Sequence, residues 1–465
     1  MKKKYLIVGG GVSGLLTAFL LKKKNKLNEV TLIEKNKQCG GVLSSFQYPK
    51  GHGAFDYGIH TIYETGVEEL DTILNNFLPK NQWIKLSGMK RDFGGTYING
   101  ILQDNSAYVD VRNIKLKNVN IYREDFLHNL KNNKISTSPL SAKDLLIKKY
   151  GKIITDDLFE TILSKLYPFN LNDTHPFITQ LLPLSRIVLF DNEDMNKYSK
   201  LDNFNDSIAF PNQLEMPSNL ISNKSAWYPK KYGMYNFIQA MIVALRKMGI
   251  TIKNNCQVKN VTMVNGLSRV TINENKKDYI IEDTNQIFWT SGITSAYFAL
   301  NKNNKEKISF DLPVKTAFVN FGLDTAPRVK KLFYIYCLEK GFITHRLSCP
   351  TSFCPASYQD GIHRLTAEII LREDMNITMI EDKVTSELEL MGVINKNEIK
   401  FVHVEKIAGG YPTISIKNIK AMEYMKSQVL LQYPETFKFL GLMSKPNLFF
   451  QTDILKDVYQ EICDG

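Results

Sequence analysis

Two periods of apolar spacing run through this chain, and its opening residues carry one of each. Tyr5-Leu6-Ile7-Val8 is a short, partly β-branched apolar run of the kind that forms a buried parallel strand. Residues 12–24 continue with helical spacing, their buried face supplied by Leu15, Leu16, Ala18, Phe19 and Leu20. Glu29-Val30-Thr31-Leu32-Ile33 repeats the strand signature and ends at Glu34. Farther on, residues 143–166 predict one helix with Leu145, Leu146, Ile153, Ile154, Leu158, Phe159, Ile162 and Leu163 on its apolar face and Ser141 as N-cap. Residues 237–248 predict another. Strand-like runs recur at 286–291, 316–321, 333–336 and 437–439, and Thr452-Asp453 reads as the cap of a helix through Ile462.

Composition narrows the class. The chain has 465 residues, more than one hydrophobic core supports, so two or more packed units are expected. Hydrophobic residues make up 43% and charged residues 23%, the balance of a folded globular protein. The formal charge is +12, but the lysines are scattered and lack the Arg and aromatic interleaving of a nucleic-acid face, so no nucleic-acid partner is expected. Six cysteines form no C-x-x-C pair and no His lies at metal-ligand spacing, which predicts reduced thiols, a cytoplasmic location and no metal. Lys2 to Lys4 before an apolar run resembles a secretory leader superficially. Gly9, Gly10, Gly11 and Gly14 interrupt that run, however, and Lys22 to Lys24 ends it too early for a membrane span.

The interrupting glycines form Gly9-x-Gly11-x-x-Gly14 between the first strand and its helix. Gly9 permits the tight turn, Gly11 lets the backbone approach a pyrophosphate, and Gly14 lets helix and strand pack closely. The phosphates would rest on the N-H groups of Val12 and Ser13 at the helix start. Glu34, at the end of the second strand, stands at the spacing of the acid that binds the adenosine ribose. The motif points to a dinucleotide without choosing between FAD and NAD.

The residues after Glu34 make the choice: Lys35, then Gly40-Gly41-Val42, then Phe55-Asp56-Tyr57-Gly58-Ile59-His60. They resemble the flavoprotein superfamily of amine oxidases, protoporphyrinogen oxidase, phytoene desaturases and UDP-galactopyranose mutase. Residues 228–234 resemble that group's Y-P-x-G-G-M segment, with Lys231 and Tyr232 where a glycine is usual. The resemblance implies FAD as cofactor, with Val258 meeting the adenine through its backbone, Thr290 closing the dinucleotide half, and Gly441 and Thr452 near the flavin pyrophosphate. Leu442 stands where an Arg or Asp is common.

By the same resemblance the fold class is α/β: a Rossmann-like, glutathione-reductase-type FAD-binding domain (1–88, 228–300 and 415–465) with an inserted α+β substrate domain (89–227 and 301–414). His60 is implied near the isoalloxazine as a proton donor or acceptor, and a packed histidine bonded to backbone is the alternative. Arg346 and Arg186 are implied at the substrate, where a guanidinium fork suits a carboxylate or pyrophosphate. Each also reads as half of an ion pair within the fold.

The function expected is FAD-dependent oxidation of a C-N or C-C bond of a small-molecule substrate, by hydride transfer to flavin. The alternatives are a redox-neutral mutase on an anionic sugar nucleotide and a flavin-binding protein without turnover. No transmembrane segment is expected, and attachment at a membrane periphery stays open alongside the cytoplasmic reading.

Overall fold

In a computed structural model of the protein, residues 2–49, 51–114, 118–132, 138–181, 184–301, 308–372, 375–407 and 410–464 are described. Five strands lie in the order Thr251–Lys253, Glu29–Ile33, Lys4–Val8, Gln286–Trp289, Phe437–Phe439, all parallel. The central strand is apolar throughout because both its faces are covered. Ile7 packs in the core formed with helices Val12–Lys24, Tyr235–Lys247 and Gln451–Cys463. Leu6 and Val8 face the opposite core, built with the antiparallel sheet of Cys256–Val264, Leu267–Glu274 and Lys277–Thr284.

A second sheet has seven strands, ordered Ile399–Lys406, Lys315–Leu323, His363–Leu371, Thr344–Ser348, Tyr334–Cys337, Gly94–Ile98, Ile101–Gln103. Period-two alternation gives it two unlike faces. Val319, Phe321, Ile335, Leu347, Ala367 and Ile369 turn to one side and pack on Ile380, Val384 and Leu388 of helix Ile377–Leu390. The other side carries aromatic and polar residues and meets the hairpin Ser45–Tyr48 and Gly53–Asp56. There the Phe46 and Phe318 rings lie 5.6 Å apart, and Asn320 Nδ2 donates to Tyr48 Oη at 2.9 Å. Helices between residues 119 and 208 form a separate core around Phe126, Phe159 and Phe190.

Two sequence expectations need correction. Residues 143–166 do not form one helix: Gly151, at φ +98°, separates Ala142–Tyr150 from Lys152–Ile154, a π turn at Thr155–Phe159 and Glu160–Leu166. The Asp125 carboxylate fills the space a side chain at 151 would need and accepts from the Ile153 N-H at 2.8 Å, so the second segment begins on its own cap. Ser141 caps the first segment as expected, accepting from Asp144 N-H. Near the C-terminus, Thr452 and Asp453 lie inside the first turn of Gln451–Cys463; Phe450 is the N-cap residue, and no side chain caps the helix.

One buried cation ties the hairpin to the larger sheet. Arg364 is 2% exposed, and its guanidinium donates to the carbonyls of Ala54, His52 and Ser357 while facing the rings of Phe55 and Tyr232. Gly53 leaves the room that it occupies. Its fork spans carbonyls on the hairpin and on the Pro355–Ser357 turn, which a single ammonium cannot reach together. Arg364→Lys is therefore expected to cost about 2 kcal/mol of stability, read as a lower urea midpoint; an unchanged midpoint would show that the fork does not hold the hairpin.

Candidate functional site

At the C-terminal ends of the central parallel strands, three glycine segments meet. Gly9 sits at φ +111°, where a Cβ would strike the Thr290 hydroxyl, and that hydroxyl donates to the carbonyls of Val8 and Gly9. Gly14 packs so tightly that a Cβ there would lie 2.0 Å from the Gly9 carbonyl oxygen. Gly11 differs: a Cβ would meet nothing within 4 Å, and Gly11 is the N-cap of Val12–Lys24 with no side-chain cap. Uncapped N-H groups at Val12 and Ser13 thus border open space, the arrangement that accepts an anion.

The other two segments close around it. The Gly40 N-H donates to the Gly10 carbonyl at 2.9 Å, and Gly41, at φ +56°, lies against the Gly11 Cα. Glu34 Oε2 accepts from the Gly10 N-H and Oε1 from the Asn36 N-H, both at 2.8 Å, which fixes the carboxylate and leaves lone pairs for a further donor. Beside it, burial and the Glu34 charge push the Cys39 thiol up to about 12. Cys256 N-H bonds the Glu34 carbonyl, which brings buried Val258 to the same end of the sheet. Gly441, at φ +92°, faces Ser13 and the Thr290 carbonyl. Lys35 and Val42 are exposed, as is Leu442, and Thr452 is half-buried in its helix.

Below this crevice lies a residue to which the sequence alone assigns no role. Asp56 is 6% exposed and accepts from Ser45 Oγ at 2.5 Å, Tyr228 Oη at 2.6 Å and Met234 N-H at 2.9 Å. Gly233 N-H donates in turn to Tyr228 Oη at 3.1 Å. Burial raises the Asp56 pKa while its three hydrogen bonds pull the other way. The aspartate is visible within its motif, but partners 172 and 178 residues away leave no local signal.

Beyond Gly58 the hairpin reaches the aromatic face of the larger sheet. Gly58 has φ +76°, and a Cβ there would overlap the Glu368 carboxylate. That carboxylate takes both arms of Arg346, Nε to Oε1 at 2.6 Å and Nη2 to Oε2 at 3.0 Å, beneath the Tyr336 ring. The fork expected for an anionic substrate is therefore already engaged, because Arg346 and Glu368 are directly paired positions on neighbouring strands. Arg186 is exposed on the helical side, where its charge acts on Lys149 and Tyr150. His60 has its pKa lowered to about 3 by burial first and the Arg346 charge second, so its imidazole is neutral at ordinary pH.

Two more polar groups on this face carry no signal in the sequence. A register shift between Thr344 and Arg346 inserts His345 beside the rings of Tyr336 and Tyr411, 5.7 and 5.4 Å away; it is 2% exposed, and neither ring nitrogen has a partner. Asp92 takes a hydrogen bond from Tyr63 Oη at 3.4 Å and interacts with Tyr334, and burial raises its pKa. All six cysteines are unpaired. Among the described residues no group of three His, Cys, Asp or Glu is placed to hold a metal, and no helix is long and apolar enough to cross a membrane.

Comparison with known proteins agrees with this geometry. Residues 7–77 match the family model of an NAD(P)-binding Rossmann-like domain. No curated protein matches the chain in sequence. Reduced UDP-galactopyranose mutase superposes with a TM-score of 0.73 at 14% identity, over 99% of this chain and 94% of that one. A provisionally assigned protoporphyrinogen oxidase from Exiguobacterium sp. gives 0.67 at 15%, over 99% and 98%. A redesigned putrescine oxidase gives 0.60 at 11%, over 100% and 99%. The chain has the fold these proteins share along its whole length.

Two outcomes are expected from the site itself. Asp56→Ala strands two hydroxyls and an N-H in a buried space, so it should lower stability by about 3 kcal/mol; a melting temperature equal to wild type would remove Asp56 from its supporting role. For His60 the pKa falls from 6.5 in the unfolded chain to about 3 in the fold. The unfolded chain binds the extra proton between those values, so stability drops as pH falls from 6.5 and the loss is complete near 3. At about pH 5 this amounts to at most about 2 kcal/mol. His60→Gln should therefore narrow the gap between melting temperatures at about pH 7.5 and about pH 5, and an equal gap in both proteins would place the imidazole in water.

Proposed function

We propose that this chain, built on the fold shared by UDP-galactopyranose mutase, protoporphyrinogen oxidase and putrescine oxidase structures, holds FAD and uses it to oxidise a C-N or C-C bond of a small molecule. One observation carries the reading. The uncapped helix start at Gly11 borders open space, with Glu34 on one side and Gly40-Gly41 on the other. These groups fit a dinucleotide: N-H donors for the pyrophosphate, a fixed carboxylate for the ribose hydroxyls, and glycines where the ligand would touch backbone.

When bound, flavin supplies the two-electron chemistry. The residues of this chain orient and exclude. Gly58 and the neutral His60 line the approach from the crevice to the aromatic face, and the imidazole offers one hydrogen-bond donor and one acceptor there. Tyr334, Tyr336 and Tyr411 form an apolar wall with hydroxyl ends, suited to a substrate whose reacting part is flat or hydrogen-bonding. The Arg346–Glu368 pair stands beside His60 and Gly58, where it holds geometry while the Arg346 charge disfavours a protonated His60. Molecular oxygen or a quinone is the acceptor we favour.

A redox-neutral mutase is the second reading, supported by the full-length superposition on UDP-galactopyranose mutase. The engaged fork of Arg346 weighs against it, since a pyrophosphate clamp would need that fork free. Consumption of an electron acceptor during turnover separates the two.

Purified protein should carry FAD and no FMN, because the crevice is built for the adenosine half. Gly11→Val should empty it while the circular dichroism spectrum and melting of the apoprotein stay at wild type, the new side chain entering space that is open without ligand. FMN in the extract, or full flavin content in the variant, would overturn the assignment.

A further inference from the structure

At one end of the seven-stranded sheet a notch of about 200 Å³ opens between helix Glu160–Leu166, the link before strand Thr344–Ser348, and helix Ile377–Leu390. Its apolar floor includes Phe342, Ile370 and Met375, while Lys165, Lys340, Arg372 and Lys383 also line it, with no carboxylate in the described lining. Some lysines elsewhere on this protein pair with acids, as Lys23 does with Glu69, Lys152 with Asp156 and Lys417 with Asp311.

Among the described residues Lys340 and Lys383 have no ion-pair partner, and Arg372 donates only to the Ser164 carbonyl. Lys165 is 7% exposed, and its amine is spent on the carbonyls of Cys337 and Thr344. The acids whose charge reaches it are turned to backbone: Glu387 accepts from the N-H groups of Ile343 and Thr344, and Glu339 from that of Gly100. Arg372 also borders a second cavity, of about 320 Å³, with Leu163, Tyr167 and Phe169 in its walls. Arg372 thus borders both spaces, the second of which also has Glu160 and Asn170 in its wall.

We propose that this notch binds an anionic amphiphile, a carboxylate or phosphate head with a short apolar tail, at a site separate from the dinucleotide crevice. The Arg372 guanidinium and the ammonium groups of Lys340 and Lys383 take the head. The tail replaces water over Phe342, Ile370 and Met375. The excess positive charge of the chain, +12, draws such a ligand in.

The test uses the flavin-loaded protein with sodium decanoate, monitored by titration calorimetry at low salt. One molecule should bind saturably, and the exposed pair Lys340→Gln and Lys383→Gln together should weaken it about tenfold with flavin content unchanged. Lys340→Arg with Lys383→Arg should restore binding. Competition by inorganic phosphate would place the head at these cations. Retention on phosphatidylglycerol vesicles that the glutamine variant loses would assign the head to a bilayer lipid, whereas decanoate binding without retention assigns it to a free acid. Absence of saturable decanoate binding, equal binding in the glutamine variant, or decanol binding as tightly as decanoate would overturn the proposal.

Discussion

The carboxylate of Asp56 is the point on which the architecture turns. Its hydrogen-bonding partners belong to the strand just past the glycine pair, to the strand ending at Pro229 and to the start of helix Tyr235–Lys247. No two of these segments are held in this geometry by local chain connectivity alone. An acceptor-only group with several lone pairs satisfies three donors at once, which a neutral amide at the same place could not do. The hairpin is thereby positioned, and with it Gly58, His60 and the approach to the aromatic sheet.

Charge is managed differently at the two arginines of that sheet. Arg346 is balanced by Glu368 on the neighbouring strand. Arg364 has three carbonyl partners and two aromatic faces, and burial lowers its pKa without displacing its proton at physiological pH. Both lie where hairpin and sheet meet, so the junction is fixed by hydrogen bonds with direction as well as by apolar contact. Burial and the Arg346 charge keep His60 beside them neutral, so the imidazole serves there as a hydrogen-bonding group.

Legibility tracks the distance over which a signal acts. The dinucleotide unit is readable because strand, turn, helix and acid lie within one stretch, and the structure gives Gly9, Gly11 and Gly14 the separate environments that the motif implies. Strand Lys315–Leu323 and strand Tyr334–Cys337 are readable from composition. The break at Gly151 is not, because its cause is Asp125, a residue on another helix. Neither is the partner of Arg346, although an ion pair is one of its two readings: Glu368 lies 22 residues on, and only strand pairing brings the two together. His345 is hidden by a register shift, which no pattern in one strand can reveal.

The parallel sheet also sets an order of events during synthesis. Its central strand, Lys4–Val8, is made long before Gln286–Trp289, the neighbour that completes its pairing, and helix Val12–Lys24 rests on Gln451–Cys463, where Lys24 Nζ donates to the Ile462 carbonyl. An apolar run made early is thus covered late. Until Gln286–Trp289 is made, Leu6, Ile7 and Val8 keep one strand edge unpaired, and a chain that stops short of Gln451–Cys463 leaves the apolar face of Val12–Lys24 without the helix that covers it.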